Sequence, residues 1–233
     1  ERLLEKLARQ QLGLGQVAQE LAEVLASYEA ARRPVWSCRG RSLPVGERTL
    51  LMAIVNVTPD SFSGDGLACR PDEAIARAEA FVKAGADILD IGGESTRPGS
   101  EPVPADEEWA RVEPVIAAFR GRDDVVLSLD TRKPEVAAKG IEAGVHIIND
   151  VGGLRDPALV EVIASSGCGA IVMHMKGEPA TMQLQPTYDD LMAEIFGFLS
   201  DRVEAALEAG VPEDAIAVDP GFGFGKTVEH NLE

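Results

Sequence analysis

The sequence predicts an α/β fold of successive βα units around a parallel sheet, and three observations carry that reading. Six short runs, at residues 50–57, 88–93, 125–131, 146–151, 170–175 and 216–219, are nearly unbroken in Val, Ile, Leu and Met, the pattern of strands buried on both faces. The stretches between them carry apolar residues at helical spacing. The runs also end in polar or Gly-rich clusters: Asn56, 94–97, Asp130, Asn149, 174–176 and 219–226. In a barrel, functional groups collect at the carboxyl ends of many strands, whereas an open doubly wound sheet gathers its ligand at one switch point. Polar groups recur at these ends and are not confined to one of them, which favours the barrel.

The elements follow in order. Residues 1–33 read as a helical extension, with Val17, Leu21, Val24 and Tyr28 on one stripe and a break at Gly13 and Gly15; residues 34–233 read as the barrel. The strand at 50–57 leads to a helix with Ala74, Ile75, Ala78, Phe81 and Val82 on its buried side. That helix is opened by Pro71, Asp72 and Glu73 and closed by Gly85, since proline and acids suit a helix start and glycine its stop. The same punctuation recurs after 125–131, as Lys133-Pro134-Glu135 and Gly144, and after 146–151, as Asp156-Pro157 and Gly167. Leu191, Ile195, Phe198, Leu199 and Val203 predict the helix after 170–175, stopped by Gly210. The look-alike segments KAGA at 83–86, EAGV at 142–145 and EAGV at 208–211 mark one recurring helix-to-strand turn.

Charge and cysteines narrow the function. A formal charge of -17 argues against nucleic acid or an anionic membrane as the main partner, because both would repel this surface. Any anionic substrate therefore needs local cations. Cys38, Cys69 and Cys168 are scattered and lack CxxC spacing, which suits a reducing cytoplasm better than a disulfide framework or a zinc site. No signal peptide or membrane-length apolar run stands out. The chain opens on Glu1 rather than Met, so further N-terminal sequence is expected. A length of 233 residues suffices for one large α/β domain, and no Ser/Gly linker divides it.

Strand parity selects candidate site residues. Ser128 and Asp130 share one face of their strand, and Ala217 and Asp219 share one face of theirs. His146 opens its strand and reads as structural; His174 has the parity opposite to Met173 and is expected to face the helix layer; His230 falls at the start of the last helix. The three histidines form no HxH or HExxH pattern, so no transition-metal site is expected. The run DPGFGFGK at 219–226 fails the Walker pattern at Pro220 and the dinucleotide fingerprint at Lys226. Close approach of backbone to a flat ligand explains its glycines better. Phe222 and Phe224 either pack on that ligand or fill core space.

Six motifs, NVTPDSFS at 56–63, DIGGESTRPG at 90–99, SLDT at 128–131, IIND at 147–150, MHM at 173–175 and DPGFGFGK at 219–226, closely resemble dihydropteroate synthase from about Trp36 onward. The resemblance implies a (β/α)8 TIM barrel that uses Mg2+, is a homodimer and is a sulfonamide target. It also implies the reaction: 6-hydroxymethyl-7,8-dihydropterin diphosphate and p-aminobenzoate give 7,8-dihydropteroate and diphosphate in folate biosynthesis.

On the matching positions, Asp130, Asn149 and Asp219 bind the polar edge of the pterin, and Met173 and Phe224 line its faces. Asn56 contacts the metal and the diphosphate, Thr96 contacts substrate and Arg97 supplies the local cation. The loops at 58–66 and 95–102 close over the site, with Phe62 and Pro98 flanking the aminobenzoate ring. Asn56, Arg97 and Asp130 are then the catalytic candidates. An arylamine is neutral and nucleophilic at pH 7 and an electron-rich dihydropterin stabilises a developing cation, so no catalytic His or Cys is expected. Two alternatives share such strand ends: a pterin-binding corrinoid methyltransferase and a catalytically inactive pterin-binding relative. Only six βα starts occur, so the native chain is expected to continue past Glu233 by at least two βα units. Those units carry the family's Lys after a Ser-Arg pair and its Arg-x-His pair.

Overall fold

Each predicted strand forms. The computed structural model describes residues 15–30, 35–46, 48–58, 71–95, 100–177, 181–184 and 186–233. In chain order the elements are α1 (Gly15–Ala30), β1 (Val35–Cys38), β2 (Arg41–Pro44), β3 (Met52–Asn56), α2 (Pro71–Lys83), β4 (Ile88–Gly92), α3 (Ala105–Phe119) and β5 (Val126–Asp130). They continue with α4 (Pro134–Ala143), β6 (Ile147–Asp150), α5 (Pro157–Ser166), β7 (Gly169–Met173), α6 (Leu191–Glu208), a 3-10 turn (Glu213–Ala215), β8 (Ile216–Asp219) and α7 (Val228–Leu232). Contacts divide the chain into two units, residues 1–35 with 44–49, and residues 36–43 with 50–233.

The first unit contains α1, whose first residue is Gly15. Among its described side chains Ala18 is buried, while Val17, Leu21 and Val24 of the expected stripe are exposed. Among the described residues no helix is long and apolar enough to cross a membrane.

In the second unit the strand order is β3-β4-β5-β6-β7-β8, all parallel. Each strand of this sheet lies beside its sequence neighbour, so among the described residues the order never reverses and no doubly wound switch point occurs. The helix punctuation holds as well. α2, α4 and α5 begin at Pro71, Pro134 and Pro157, and the Asp156 carboxylate caps α5 by accepting from the Ala158 N–H. Helix α3 had no flagged start; it begins after Pro104 and carries Pro114 inside.

Parity splits the sheet into two environments. Outward-facing Val55, Leu89, Ile91, Leu127, Leu129, Ile148 and Val172 pack against Ala74 and Ala78 of α2, Ile116 and Phe119 of α3, Ile141 of α4 and Ile163 of α5. Burying each such side chain contributes roughly 1.5–3 kcal/mol, which is why near-continuous apolar runs make these strands. The amino end of the inner face is apolar, and there Ile88, Val126, Ile147 and Ile171 meet Trp36, Cys38 and Leu43 of the β1–β2 hairpin.

That hairpin seals the amino end of the strands, and the sequence reading did not anticipate it. It turns on Arg39 and Gly40, both at positive φ (45° and 78°), as a two-residue hairpin requires. Its polar groups satisfy the turns that precede the strands: Trp36 Nε1 donates to Ala215 O (3.0 Å), Arg39 N to Gly167 O (2.9 Å) and Arg41 Nη2 to Arg122 O (2.6 Å). His146 belongs to this closed end, its Nδ1 accepting from Leu127 N–H at 3.1 Å, as its structural reading expected.

Candidate active site

The carboxyl half of the inner face is polar, and strand register arranges its side chains in a row. Asn56 pairs with Gly92, Gly92 with Asp130, Asp130 with Asn149, and Asn149 with Ile171. One step further along, Met173 pairs with Asp219. Five of the residues expected at the pocket therefore share one face of five strands. Phe224 joins them from the Gly-rich turn, packing on Val151, Met173, Met175 and Met182. Gly92 leaves the floor of the row open, since a Cβ there would lie 3.3 Å from Asp130 Oδ2 and 3.5 Å from Asn56 Oδ1. Phe62, Thr96, Arg97 and Pro98 lie outside the described residues.

Two carboxyl groups, the buried Asp90 and the half-buried Asp130, dominate the electrostatics. Burial raises Asp130 well above the usual carboxylate range, and Asp90, Glu108 and Asp150 nearby raise it further against the opposing pull of Arg132. Burial also raises Asp90, while hydrogen bonds from Ser128 and Asn149 draw it back. Those bonds are short: Ser128 Oγ donates to Asp90 Oδ1 at 2.6 Å and Asn149 Nδ2 to Asp90 Oδ2 at 3.0 Å. Asp90 was given no role in the sequence reading; strand register puts it on the inner face with Gly92.

The Gly-rich turn is shaped by this chain's own backbone. A Cβ on Gly221 would sit 2.0 Å from His174 O and one on Gly225 would sit 2.6 Å from Lys176 O, both residues at positive φ (70° and 63°). Close approach is thus the right reason for these two glycines, with the end of β7 as the approaching group in place of a flat ligand. Phe222 is 68% exposed, so of the two phenylalanines only Phe224 faces the pocket cluster. Asp219 Oδ1 accepts from Gly221 N–H at 2.7 Å, which ties the carboxylate to the turn and leaves its other oxygen for a ligand.

Lys226 pins the same turn from behind. Its buried Nζ donates to Gly221 O at 2.9 Å and Phe224 O at 3.2 Å and lies 2.9 Å from His174 Nδ1. Burial lowers Lys226 to about 8. Burial, then Lys226 and Arg155, lower His174 to about 4. His174 sits against the Phe198 ring of α6 with centroids 5.2 Å apart, in the helix layer where parity put it.

A second charged cluster lies beside the row, at the ends of β4 and β5. Glu94 accepts from Arg132 at 2.7 Å, from Lys133 at 2.5 Å and from Val103 N–H at 2.9 Å, and Lys133 also bonds the fully buried Glu108. Burial raises the Glu94 carboxyl, but the bonds from Lys133, Val103 and Arg132 outweigh it and hold the group below its ordinary value. Ser100 Oγ donates to Ser95 O at 2.5 Å.

Residues 52–233 match the family described as pterin binding enzyme. Dihydropteroate synthase of Escherichia coli (strain K12) is 44% identical over 181 residues, 78% of this chain, which spans 64% of that enzyme's length. A probable bifunctional folylpolyglutamate synthase/dihydropteroate synthase of Haloferax volcanii is 41% identical over 100% of this chain and 29% of its own length. The Yersinia pestis dihydropteroate synthase, solved with a sulfonamide drug, superimposes with a TM-score of 0.79 at 44% identity, covering 85% of this chain and 72% of that one.

Proposed function

The chain belongs to the dihydropteroate synthase family of pterin-binding enzymes, and from that premise we propose that it forms 7,8-dihydropteroate from 6-hydroxymethyl-7,8-dihydropterin diphosphate and p-aminobenzoate, releasing diphosphate. The observation that carries this reading is the in-register row of acceptors, Asp130 and Asn149 with Asp219 one step beyond, flanked by apolar Met173 and Phe224.

The chemistry follows from the row. The 2-amino-4-oxo pyrimidine edge of a pterin presents adjacent N–H donors, which Asp219, Asp130 and Asn149 accept, while Met173 and Phe224 sandwich the flat ring. Held this way, the ring places its exocyclic methylene towards the mouth of the barrel. The carbon–oxygen bond to diphosphate breaks, the ring spreads the developing positive charge, and the amine nitrogen of p-aminobenzoate attacks the methylene and then loses a proton. Arg97 offsets charge on the departing diphosphate, Thr96 holds substrate, and Phe62 and Pro98 flank the aminobenzoate ring.

Asn56 suits a magnesium ion, because its exposed amide oxygen is a hard ligand at the rim of the row. Magnesium favours one or two protein ligands completed by phosphate oxygens and water. Among the described residues there is no cluster of three or more His, Cys, Asp or Glu that could hold a metal. Such an ion supplies charge neutralisation to the leaving diphosphate.

In the same proposal residues 1–33, of which the helix Gly15–Ala30 is described, are an extension to the pterin-binding barrel of residues 34–233, and the protein works as a cytoplasmic homodimer. The decisive experiment measures diphosphate release by the purified protein with Mg2+. Release should require both substrates and should be competed by a sulfonamide, an analogue of p-aminobenzoate. Pterin binding with no release would leave only a pterin-binding module, and methyl transfer to a corrinoid would replace the reading altogether.

A further inference from the structure

We infer that Asp90 fixes the hydrogen-bonding polarity of the pocket at Asn149, holding the amide so that its Oδ1 faces the ligand; the inference deepens the pterin-binding reading and rests on it. An Asn side chain has two nearly isosteric ends of opposite character, an acceptor oxygen and a donor nitrogen. Which end meets the ligand decides whether the pocket accepts or rejects an N–H at that point.

In this protein the choice is imposed from below. Asp90 lies on β4, 4% exposed, and its two oxygens receive Ser128 Oγ at 2.6 Å and Asn149 Nδ2 at 3.0 Å. With both of its oxygens taken up as acceptors, Asp90 meets the amide through the nitrogen, and the amide turns its oxygen away. The geometry depends on three strands. Asp90 pairs with Ser128 on β5, and Asn149 pairs with Asp130 one step further up. Asn149 therefore reaches down and across β5, and the fully buried Ser128 is small enough to let it pass.

Among the described residues Asn149 Oδ1 has no hydrogen-bond partner, and its register neighbour Asp130 is likewise an acceptor. Adjacent acceptors fit the donor-rich edge of a 2-amino-4-oxo pyrimidine and oppose a ring that presents a carbonyl there. Asp90 never needs to touch the substrate. It is a positioning residue acting through Asn149.

The test is titration calorimetry of the whole protein with 6-hydroxymethylpterin. Wild type should bind, and Asp90→Asn should bind about tenfold or more weakly, because the freed amide can turn its nitrogen to the ligand's N–H. In an Asn149→Ala background the Asp90→Asn change should have almost no further effect, which a merely structural role for Asp90 does not give. The exchange Asp90→Asn with Asn149→Asp should recover most of the affinity, since the new amide donates to the new carboxylate, whose other oxygen still accepts from the pterin. Full affinity in Asp90→Asn, or equal losses in both backgrounds, overturns the inference while leaving the pterin reading intact. Failure of wild type to bind the pterin overturns the reading beneath it.

Discussion

Lys226 and His174 form a buried pair, Nζ lying 2.9 Å from Nδ1, at the point where the Gly-rich turn folds back on the end of β7. Because the same ammonium donates to Gly221 O and Phe224 O, it connects the helix layer to the two residues that bracket the pocket, Asp219 and Phe224. Its three protons are used inside the protein, so it acts as a clamp.

Lys226→Met should therefore destabilise the fold by roughly 3 kcal/mol, since it leaves buried carbonyl acceptors unpaired. Pterin affinity should fall with it as Asp219 and Phe224 lose their fixed turn. Urea unfolding and pterin titration read the two effects. A variant matching wild type in both would remove Lys226 from the turn's support.

The pair also predicts an acid-side instability. His174 is 4% exposed and its folded value, about 4, lies below that of a free histidine. As pH falls below about 6.5 the unfolded chain takes up a proton that the folded one refuses, so stability is lost down to the folded value and not further. At pH 5 the loss from this group is at most about 2 kcal/mol. Unfolding midpoints at pH 7 and pH 5 should show a shallower acid decline for His174→Asn than for wild type. Equal slopes would mean that His174 titrates normally.

Asp219→Ala should weaken pterin binding by about tenfold or more, as ligand N–H groups lose their acceptor. The smaller effect belongs to the turn, because Gly221 N–H loses its 2.7 Å partner. Calorimetry against the bare pterin separates the residue from the diphosphate corner. Unchanged affinity there would take Asp219 out of the pocket.

Much of this site was legible in the sequence because β structure has a period of two. Once 125–131 and 216–219 read as strands, Asp130 and Asp219 fell on the inward face without any coordinates, and register then placed Asn149 beside Asp130. What could not be read depends on contacts between distant segments. The β1–β2 hairpin seals the strands through bonds to turns 81 to 179 residues away. Asp90 shows its parity in the sequence but not its two donors, which come from β5 and β6. Lys226 sat inside a recognised motif whose glycines invited a ligand explanation, and only the 2.0 Å approach to His174 O reveals the competing one.

The network beside the row gives the last prediction. Glu108 is fully buried on α3, accepts from Thr131 Oγ1 at 2.6 Å, and has Lys133 as its cation. Lys133 also bonds Glu94, so one ammonium offsets two carboxylates where β5 ends and α4 begins. Removing one partner of a buried pair leaves an uncompensated charge and costs about 3–5 kcal/mol, whereas removing both can be nearly neutral. Lys133→Met alone should thus be strongly destabilised, and adding Glu108→Gln should restore much of the loss, the amide keeping the Thr131 contact without the charge. Glu94 retains Arg132 at 2.7 Å in either variant, so the recovery isolates Glu108. Denaturant midpoints of wild type, the single variant and the double variant decide it. A double variant no more stable than Lys133→Met would show that the lysine acts through Glu94 and that Glu108 does not depend on it.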